Sequence, residues 1–369
     1  MTLTTGRNRY GALAQELLAW YQQNRRDLPW RKTRDPYAIT VSEFMLHQTR
    51  VSTVLPYYKR FMSLFPDWAT LAQASLDQVL KAWEGLGYYA RARNLHALAK
   101  RVASEYGGRL PESEAELRAL PGIGAYTVGA VLSLCFGKDI PAIDGNTRRV
   151  LCRAFHITED PNSPEGARRV QNTAKALLPQ GQAGAFNQAL MDLGATLCTP
   201  RKPVCGRCPW IASCQAHQLN TEELLPVKKA RKPLPHFDIA AGVIWCNRLV
   251  LIAQRPLSGL LGGLWEFPGG KREPGESLEE CLRREVCEEL AIEVQVGPLL
   301  ATVEHAYTHF RITLYTFHCQ YVSGEPQAIG CSTWRWVEPQ ELKDYAFPAA
   351  NRTTLAALEG RPPLQVDSL

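Results

Sequence analysis

The hydrophobic period of the chain changes at Leu225, and this constrains the fold more than any other feature. From Tyr10 to Leu219 apolar residues recur every three or four positions, as in Leu13, Leu17, Leu18 and Tyr21, and again over 51–61 and 76–83. That period predicts helices with one face buried. Breakers fall between them at Asp35-Pro36, Phe65-Pro66-Asp67, Gly107-Gly108 and Pro161-Asn162-Ser163-Pro164. Pro226, Pro233 and Pro235 then flank Lys228, Lys229, Arg231 and Lys232, the composition of an extended, solvated linker. Beyond it lie short β-branched and aromatic runs at 239–245, 249–253, 312–317 and 334–337, with one helical stretch over 278–290. The chain therefore reads as multidomain: an all-α domain over 1–220, a linker over 221–235 and an α+β domain over 236–369.

Composition narrows the classes. With 45% hydrophobic and 21% charged residues, the chain is neither wholly disordered nor collagen-like nor a coiled coil. The longest apolar run, 128–137, is about half of what a bilayer crossing needs, which argues against an integral membrane protein. The polar stretch 1–10 does not resemble a secretory signal, so a cytoplasmic location is expected. Charge is unevenly spread. Residues 1–220 hold 27 basic and 17 acidic side chains, whereas 236–369 hold 11 and 17. A basic front and an acidic back suggest that the helical domain meets a polyanion, nucleic acid being the obvious one.

Four of the eleven cysteines, Cys198, Cys205, Cys208 and Cys214, are spaced C-x6-C-x2-C-x5-C. Four soft thiolates this close suit an iron–sulfur cluster or tetrahedral zinc. Zinc ribbons usually bring two C-x2-C knuckles, and here there is one. Arg201, Lys202 and Arg207 lie among the ligands and make the loop basic. Upstream, Leu120-Pro121-Gly122-Ile123-Gly124 separates two helical patterns, and Gly122 and Gly124 allow a tight turn with outward amides that can hold a phosphate. Pro141-Ala142-Ile143-Asp144-Gly145-Asn146 follows about 20 residues later.

The cysteine spacing resembles the cluster signature of endonuclease III-type base-excision glycosylases, and the turn followed by Asp144 resembles their helix-hairpin-helix and catalytic aspartate. Asp27-Leu28-Pro29-Trp30-Arg31, the segment from Val41 to Arg50 (VSEFMLHQTR) and the segment from Trp83 to Arg91 (WEGLGYYAR) resemble motifs of the MutY-type adenine DNA glycosylase family. The resemblance implies a [4Fe-4S] cluster on the four cysteines, duplex DNA bearing A:8-oxoguanine or A:G mispairs as partner, and action as a monomer on the nucleoid. It implies that Glu43 is the general acid and Asp144 the carboxylate stabilising an oxocarbenium-like sugar, as N-glycosidic cleavage requires. Glu43 lies among Val41, Phe44, Met45 and Leu46, where desolvation keeps an acid protonated.

Lyases of this superfamily place lysine where this chain has Tyr126, so base hydrolysis without efficient strand cleavage is expected. Tyr126 and Asn146 are expected to support Asp144. Arg26, Trp30, Arg31 and Gln188 match the adenine pocket. Gln48, Leu86 and Tyr88 match residues that enter the duplex once a base is flipped. His47 departs from the family's Gln-Gln pair.

The second domain resembles a MutT-like, or Nudix, domain. Tyr307-Thr308-His309 matches the family's lesion-recognition loop, with Thr308 and His309 as contacts. The stretch from Gly270 to Ile292 fits the Nudix box except at Ala291, so Glu285, Glu288 and Glu289 are candidate Mg2+ ligands and a nucleotide pyrophosphatase activity is an alternative reading.

Overall fold

The computed structural model describes residues 3–227 and 233–358. The linker residues Lys228, Lys229, Arg231 and Lys232 lie outside the described residues. The helices α1 (Leu3–Asn24), α2 (Pro36–Leu46), α3 (Val51–Leu64), α4 (Trp68–Gln73), α5 (Leu76–Trp83), α6 (Ala90–Glu105), α7 (Glu114–Arg118), α8 (Ala125–Cys135), α9 (Gly145–Ala154), α10 (Pro164–Leu177), α11 (Ala183–Thr196) and α12 (Gln215–Gln218) come first. After residue 235 the strands β1 (His236–Cys246), β2 (Leu249–Gln254), β3 (Trp265–Glu266) and β4 (Gly269–Lys271) precede α13 (Leu278–Leu290). Then come β5 (Glu293–Ala306), β6 (Arg311–Ser323), β7 (Thr333–Val337) and α14 (Arg352–Leu358). Among the described residues, no helix is long and apolar enough to cross a membrane.

The chain packs as two compact units, and they do not follow the order of the sequence. The first comprises Met1–Val54, Phe65–Ala72 and Ala97–Arg231; the second comprises Leu55–Leu64, Gln73–His96 and Lys232–Leu369. Two stretches of the helical region thus pack with the sheet.

In the first unit, Leu13, Leu17 and Tyr21 of α1 meet Val150 and Leu151 of α9, Val170 and Ala174 of α10, and Phe186 and Leu190 of α11. Helix α2 is different, because all of residues 37–45 are buried. Its start is fixed by Asp35, whose carboxylate accepts hydrogen bonds from the amides of Tyr37 and Ala38, and by Pro36 in the first turn. Burying side chains such as Phe44 and Met45 contributes about 1.5–3 kcal/mol each, which offsets drawing Glu43 inside with them.

In the second unit the sheet order is β3-β2-β1-β6-β5, with β4 also paired to β1 and β7 to β2. β1 and β6 are parallel; the other pairs are antiparallel. Alternation along β1 feeds two cores. Ala240 and Ile244 meet Leu282 and Val286 of α13, while Ala241, Val243 and Trp245 meet Leu342, Phe347 and Leu358. The capping box of Ser277 and Glu280 starts α13, and Ala291, left-handed at φ 55°, ends it where the Nudix pattern has glycine.

Candidate active site

Helices α2, α8, α9 and α11 surround a cavity of about 910 Å³. Its walls bring together Glu43, Tyr126, Asp144, Asn146, Arg26, Trp30, Arg31, Gln188 and Gln48, residues scattered over more than 160 positions of sequence. Glu43 is only 4% exposed. Burial pushes its carboxyl up to about 7; the Tyr126 hydroxyl, donating to Oε2 at 2.5 Å, and the more distant Arg31 pull against this, while Asp144 adds to it. Tyr126 sits in the first turn of α8, and burial beside Glu43 and Asp144 holds its hydroxyl well above its ordinary range. It is a donor.

This corrects one expectation. Tyr126 hydrogen-bonds Glu43, not Asp144. Asp144 is already satisfied by its own helix: it caps α9, accepting from the Thr147 amide at 2.7 Å and from Asn146 Nδ2 at 2.9 Å. The Glu43 carboxyl accepts from Tyr126, and its backbone carbonyl takes the His47 amide. Asn146 thus orients the aspartate, and its own Oδ1 accepts from Arg149 Nη2 at 2.8 Å. Arg149 in turn donates to the carbonyls of Gly194 and Cys198, at 2.7 and 2.8 Å.

Arg26 and Arg31, on the cavity wall, are held by a residue that sequence reasoning missed. Asp192 of α11 is fully buried. Its carboxylate accepts from Arg31 at 2.5 and 2.7 Å and from Arg26 Nε at 2.6 Å. Burial opposes the charge of Arg31, but the hydrogen bonds and charge of Asp192 win and raise its pKa above the usual value. Gln188 accepts from the Tyr21 hydroxyl at 2.5 Å. The available signal was a lone acid in the apolar run Ala189-Leu190-Met191-Asp192-Leu193. Arg149 gave no signal of its own. His47 lines the cavity, its ring 5.5 Å from that of Tyr126 and its Nε2 3.4 Å from Thr127 Oγ1.

The predicted hairpin joins α7 to α8. Gly122 is left-handed at φ 71°, and Gly124 caps α8 without a side chain, leaving first-turn amides open for a phosphate. Gln48 is likewise left-handed, at φ 59°.

In the second unit, Tyr88 is left-handed at φ 51° and 45% exposed, and its hydroxyl lies 3.2 Å from Thr308 Oγ1. Non-glycine residues hold this conformation at a cost, typically where function needs it. Leu86 differs from expectation: it is 5% exposed, its amide bonded to the Trp83 carbonyl, so as folded it presents no apolar wedge. Thr308 and His309 are exposed at the turn between β5 and β6, closed by the Tyr307 amide on the Phe310 carbonyl.

The four predicted cysteines and the fully buried Arg153 line one small cavity, all four thiols free of disulfides. Arg153 Nη1 lies 3.4 Å from Cys198 Sγ and 2.6 Å from the Thr199 carbonyl. No three of the four sulfurs lie within 4.8 Å of one another. Tetrahedral zinc with bonds of about 2.3 Å would draw them to about 3.8 Å. The donor set fits a group larger than one zinc ion.

The Nudix-box acids are gathered by an arginine of α13. Arg284 bridges Glu276 at 2.8 Å, Glu285 at 3.0 Å and Glu288 at 3.2 Å. Burial, with Glu266 and Glu285 nearby, pushes the Glu289 carboxyl up to about 7. Among the described residues, the side-chain group that could share an ion is Cys205, His217 and Glu222, and the three box glutamates do not converge on one. As folded, the guanidinium of Arg284, itself a cation, ties the candidate ligands Glu285 and Glu288 together.

Both parts of the chain resemble known proteins. Residues 41–180 match the family model of the HhH-GPD superfamily base excision DNA repair protein, and residues 240–357 match the NUDIX domain. The chain is 35% identical to the human adenine DNA glycosylase over 95% of its own length and 75% of the human protein. It is 45% identical to the adenine DNA glycosylase of Mycolicibacterium smegmatis over 53% of this chain and 66% of that protein. A thermostable thymine-DNA glycosylase superposes with TM-score 0.54 at 32% identity, covering 59% of this chain and all of that one. An endonuclease III in complex with DNA shares the helical fold, with TM-score 0.51 at 21% identity over 58% of this chain and 97% of that one.

Proposed function

The chain belongs to the adenine DNA glycosylase family, base-excision repair hydrolases of N-glycosyl bonds that bind duplex DNA, and from that premise we propose that it removes adenine mispaired with 8-oxoguanine or guanine. One observation carries the reading: a buried acid at about 7 and a helix-capping carboxylate share one cavity. Glu43 delivers a proton to the ring of the flipped adenine and makes it a leaving group. Asp144, fixed by Asn146 and the Thr147 amide, faces the sugar and stabilises the cation that develops, before water adds. The Tyr126 hydroxyl aims the Glu43 carboxyl. Arg26 and Arg31, braced by Asp192, and Gln188, braced by Tyr21, shape the base pocket with Trp30.

Cys198, Cys205, Cys208 and Cys214 would hold a [4Fe-4S] cluster, which when bound ties the basic loop around Arg201, Lys202 and Arg207 into one shape for the DNA backbone. The amides at Gly122 and Gly124 grip a phosphate, and Gln48, Leu86 and Tyr88 enter the duplex, Leu86 after release from its buried position. Thr308 and His309 read the oxidised base. The division into a glycosylase domain over 1–220, a linker over 221–235 and a lesion-reading domain over 236–369 accommodates both family matches. The enzyme works as a monomer on chromosomal DNA in the cytoplasm.

Single-turnover release of adenine from an A:8-oxoguanine duplex, followed by alkali to reveal abasic sites, tests the reading. Adenine release with strand breaks appearing only after alkali is expected. Efficient borohydride trapping of a covalent DNA adduct would instead mean lyase chemistry, since Tyr126 supplies no amine. Anaerobically purified protein should contain about four irons per chain.

A further inference from the structure

The loop that carries Leu86 and Tyr88 is numbered with the helical region but packs with the sheet. Helix α5 leads into it, and side chains fasten its start to the sheet and its end to the segment 345–347 packed on that sheet. At its start, Asp77 Oδ1 accepts from Gln254 Nε2 at 2.8 Å and from the indole of buried Trp265 at 3.3 Å. At its end, Glu84 Oε1 accepts from the Phe347 amide at 3.0 Å, and its other oxygen takes Lys81 Nζ at 2.6 Å. Lys81 also donates to the Tyr345 carbonyl at 2.9 Å. Immediately beyond Glu84, Gly85 is left-handed at φ 91°, and a Cβ there would fall 2.5 Å from Tyr57 Oη and 2.6 Å from Arg352 Nη2. The loop is thus clamped where it leaves the helix, three residues before Tyr88 meets Thr308.

We propose that Glu84, seconded by Lys81 and Asp77, is a positioning residue that fastens the Leu86–Tyr88 loop to the Nudix-like sheet, so that the Tyr88 and Thr308 hydroxyls are preset as one reader of the base opposite adenine. The inference rests on the reading of 8-oxoguanine as the lesion. Neither Glu84 nor Lys81 touches the reacting base or sugar, and both act through the place they give Tyr88. Two hydroxyls contributed by segments 220 positions apart keep hydrogen-bond distance only if the clamp removes the freedom between them. The Phe347 amide needs only an acceptor, so a carboxamide can substitute for the carboxylate there.

The full chain is tested as Glu84→Ala, Glu84→Gln and Lys81→Met. In Glu84→Ala, amide hydrogen exchange over residues 85–89 should accelerate. The preference for 8-oxoguanine over guanine opposite adenine should fall about tenfold, as for a lost hydrogen bond to a charged group, while excision opposite guanine is unchanged. Glu84→Gln should restore both readouts, and Lys81→Met should show the same pattern, weaker, if the alanine variant fails to fold. Native loop exchange in both Glu84→Ala and Lys81→Met, or equal loss of excision opposite both bases, would overturn the proposal. If the unmodified protein itself shows no preference for 8-oxoguanine, the substrate reading falls, and the exchange measurement alone decides the clamp.

Discussion

Glu43 and Glu289 carry the same perturbation in two different regions. Burial pushes each carboxyl up to about 7, and each has a second acid nearby that pushes further. Their neighbours differ. Glu43 opens onto a large cavity, is aimed by a phenol and faces an aspartate locked as a helix cap. Glu289 sits by Glu266, which is bound to Arg255, and by Glu285, which is bound to Arg284. A shifted pKa marks a group that the fold has desolvated; only the space and the partners around it make that group a reagent.

The strongest way to break this comparison is to neutralise each acid in turn. Glu43→Gln and Asp144→Asn should each slow adenine release by about 10²–10⁴-fold while duplex affinity stays within a few-fold, because both groups act on the transition state. Rapid-quench kinetics beside a gel-shift titration checks this, and near-normal turnover in either variant ends the assignment. Next in size, Thr308→Ala should cut discrimination between 8-oxoguanine and guanine by the 1–3 kcal/mol of one base contact, roughly 5- to 160-fold, in paired single-turnover assays.

The titration of Glu43 gives a third test. The acid is needed protonated, so the excision rate should be flat below about 7 and fall tenfold per pH unit above it. A rate that climbs through pH 8 would mean that some other group supplies the proton. The smallest effect is expected on the other side. Glu288→Gln with Glu289→Gln should leave excision unaltered, and the full chain with Mg2+ should not hydrolyse oxidised or normal nucleoside triphosphates. Glu289 has a folded pKa raised from 4.5 to about 7, so it costs stability above that range and not below 4.5. Glu289→Gln should therefore raise the melting temperature at pH 8, with the gain fading as pH falls from 7 toward 4.5. Glu289-dependent nucleotide turnover would make the two regions equivalent after all.

Local physics made part of this molecule legible in its sequence. The run 278–290 is a helix with those bounds because its period is clean and Ser277 caps it. The runs at 249–253 and 334–337 lie in β2 and β7 because β-branched and aromatic residues suit a buried pleat. β5 escaped notice because it is largely exposed and its alternation is interrupted around Gly297-Pro298, where the register shifts twice. β3 and β4 are too short to show a period at all. The site was legible only through long motifs. Glu43 and Asp144 stand 101 positions apart and meet through helix packing, which no local pattern encodes. Asp192 and Arg149 were missed for the same reason: their partners come from other helices.

The second compact unit is assembled from three separated stretches, and this sets a timetable for biosynthesis. Asp77 and Glu84 leave the ribosome 177 and 263 residues before Gln254 and Phe347, which receive them, roughly 9–53 s at about 5–20 residues per second. During that interval Leu76 and Leu80 of α5 lack the backbone at Gly263 that lies against them in the folded unit. A nascent chain stalled before residue 232 is accordingly a client for chaperones, and a nonsense mutation there removes more than lesion reading: it leaves part of the helical region without its packing partner.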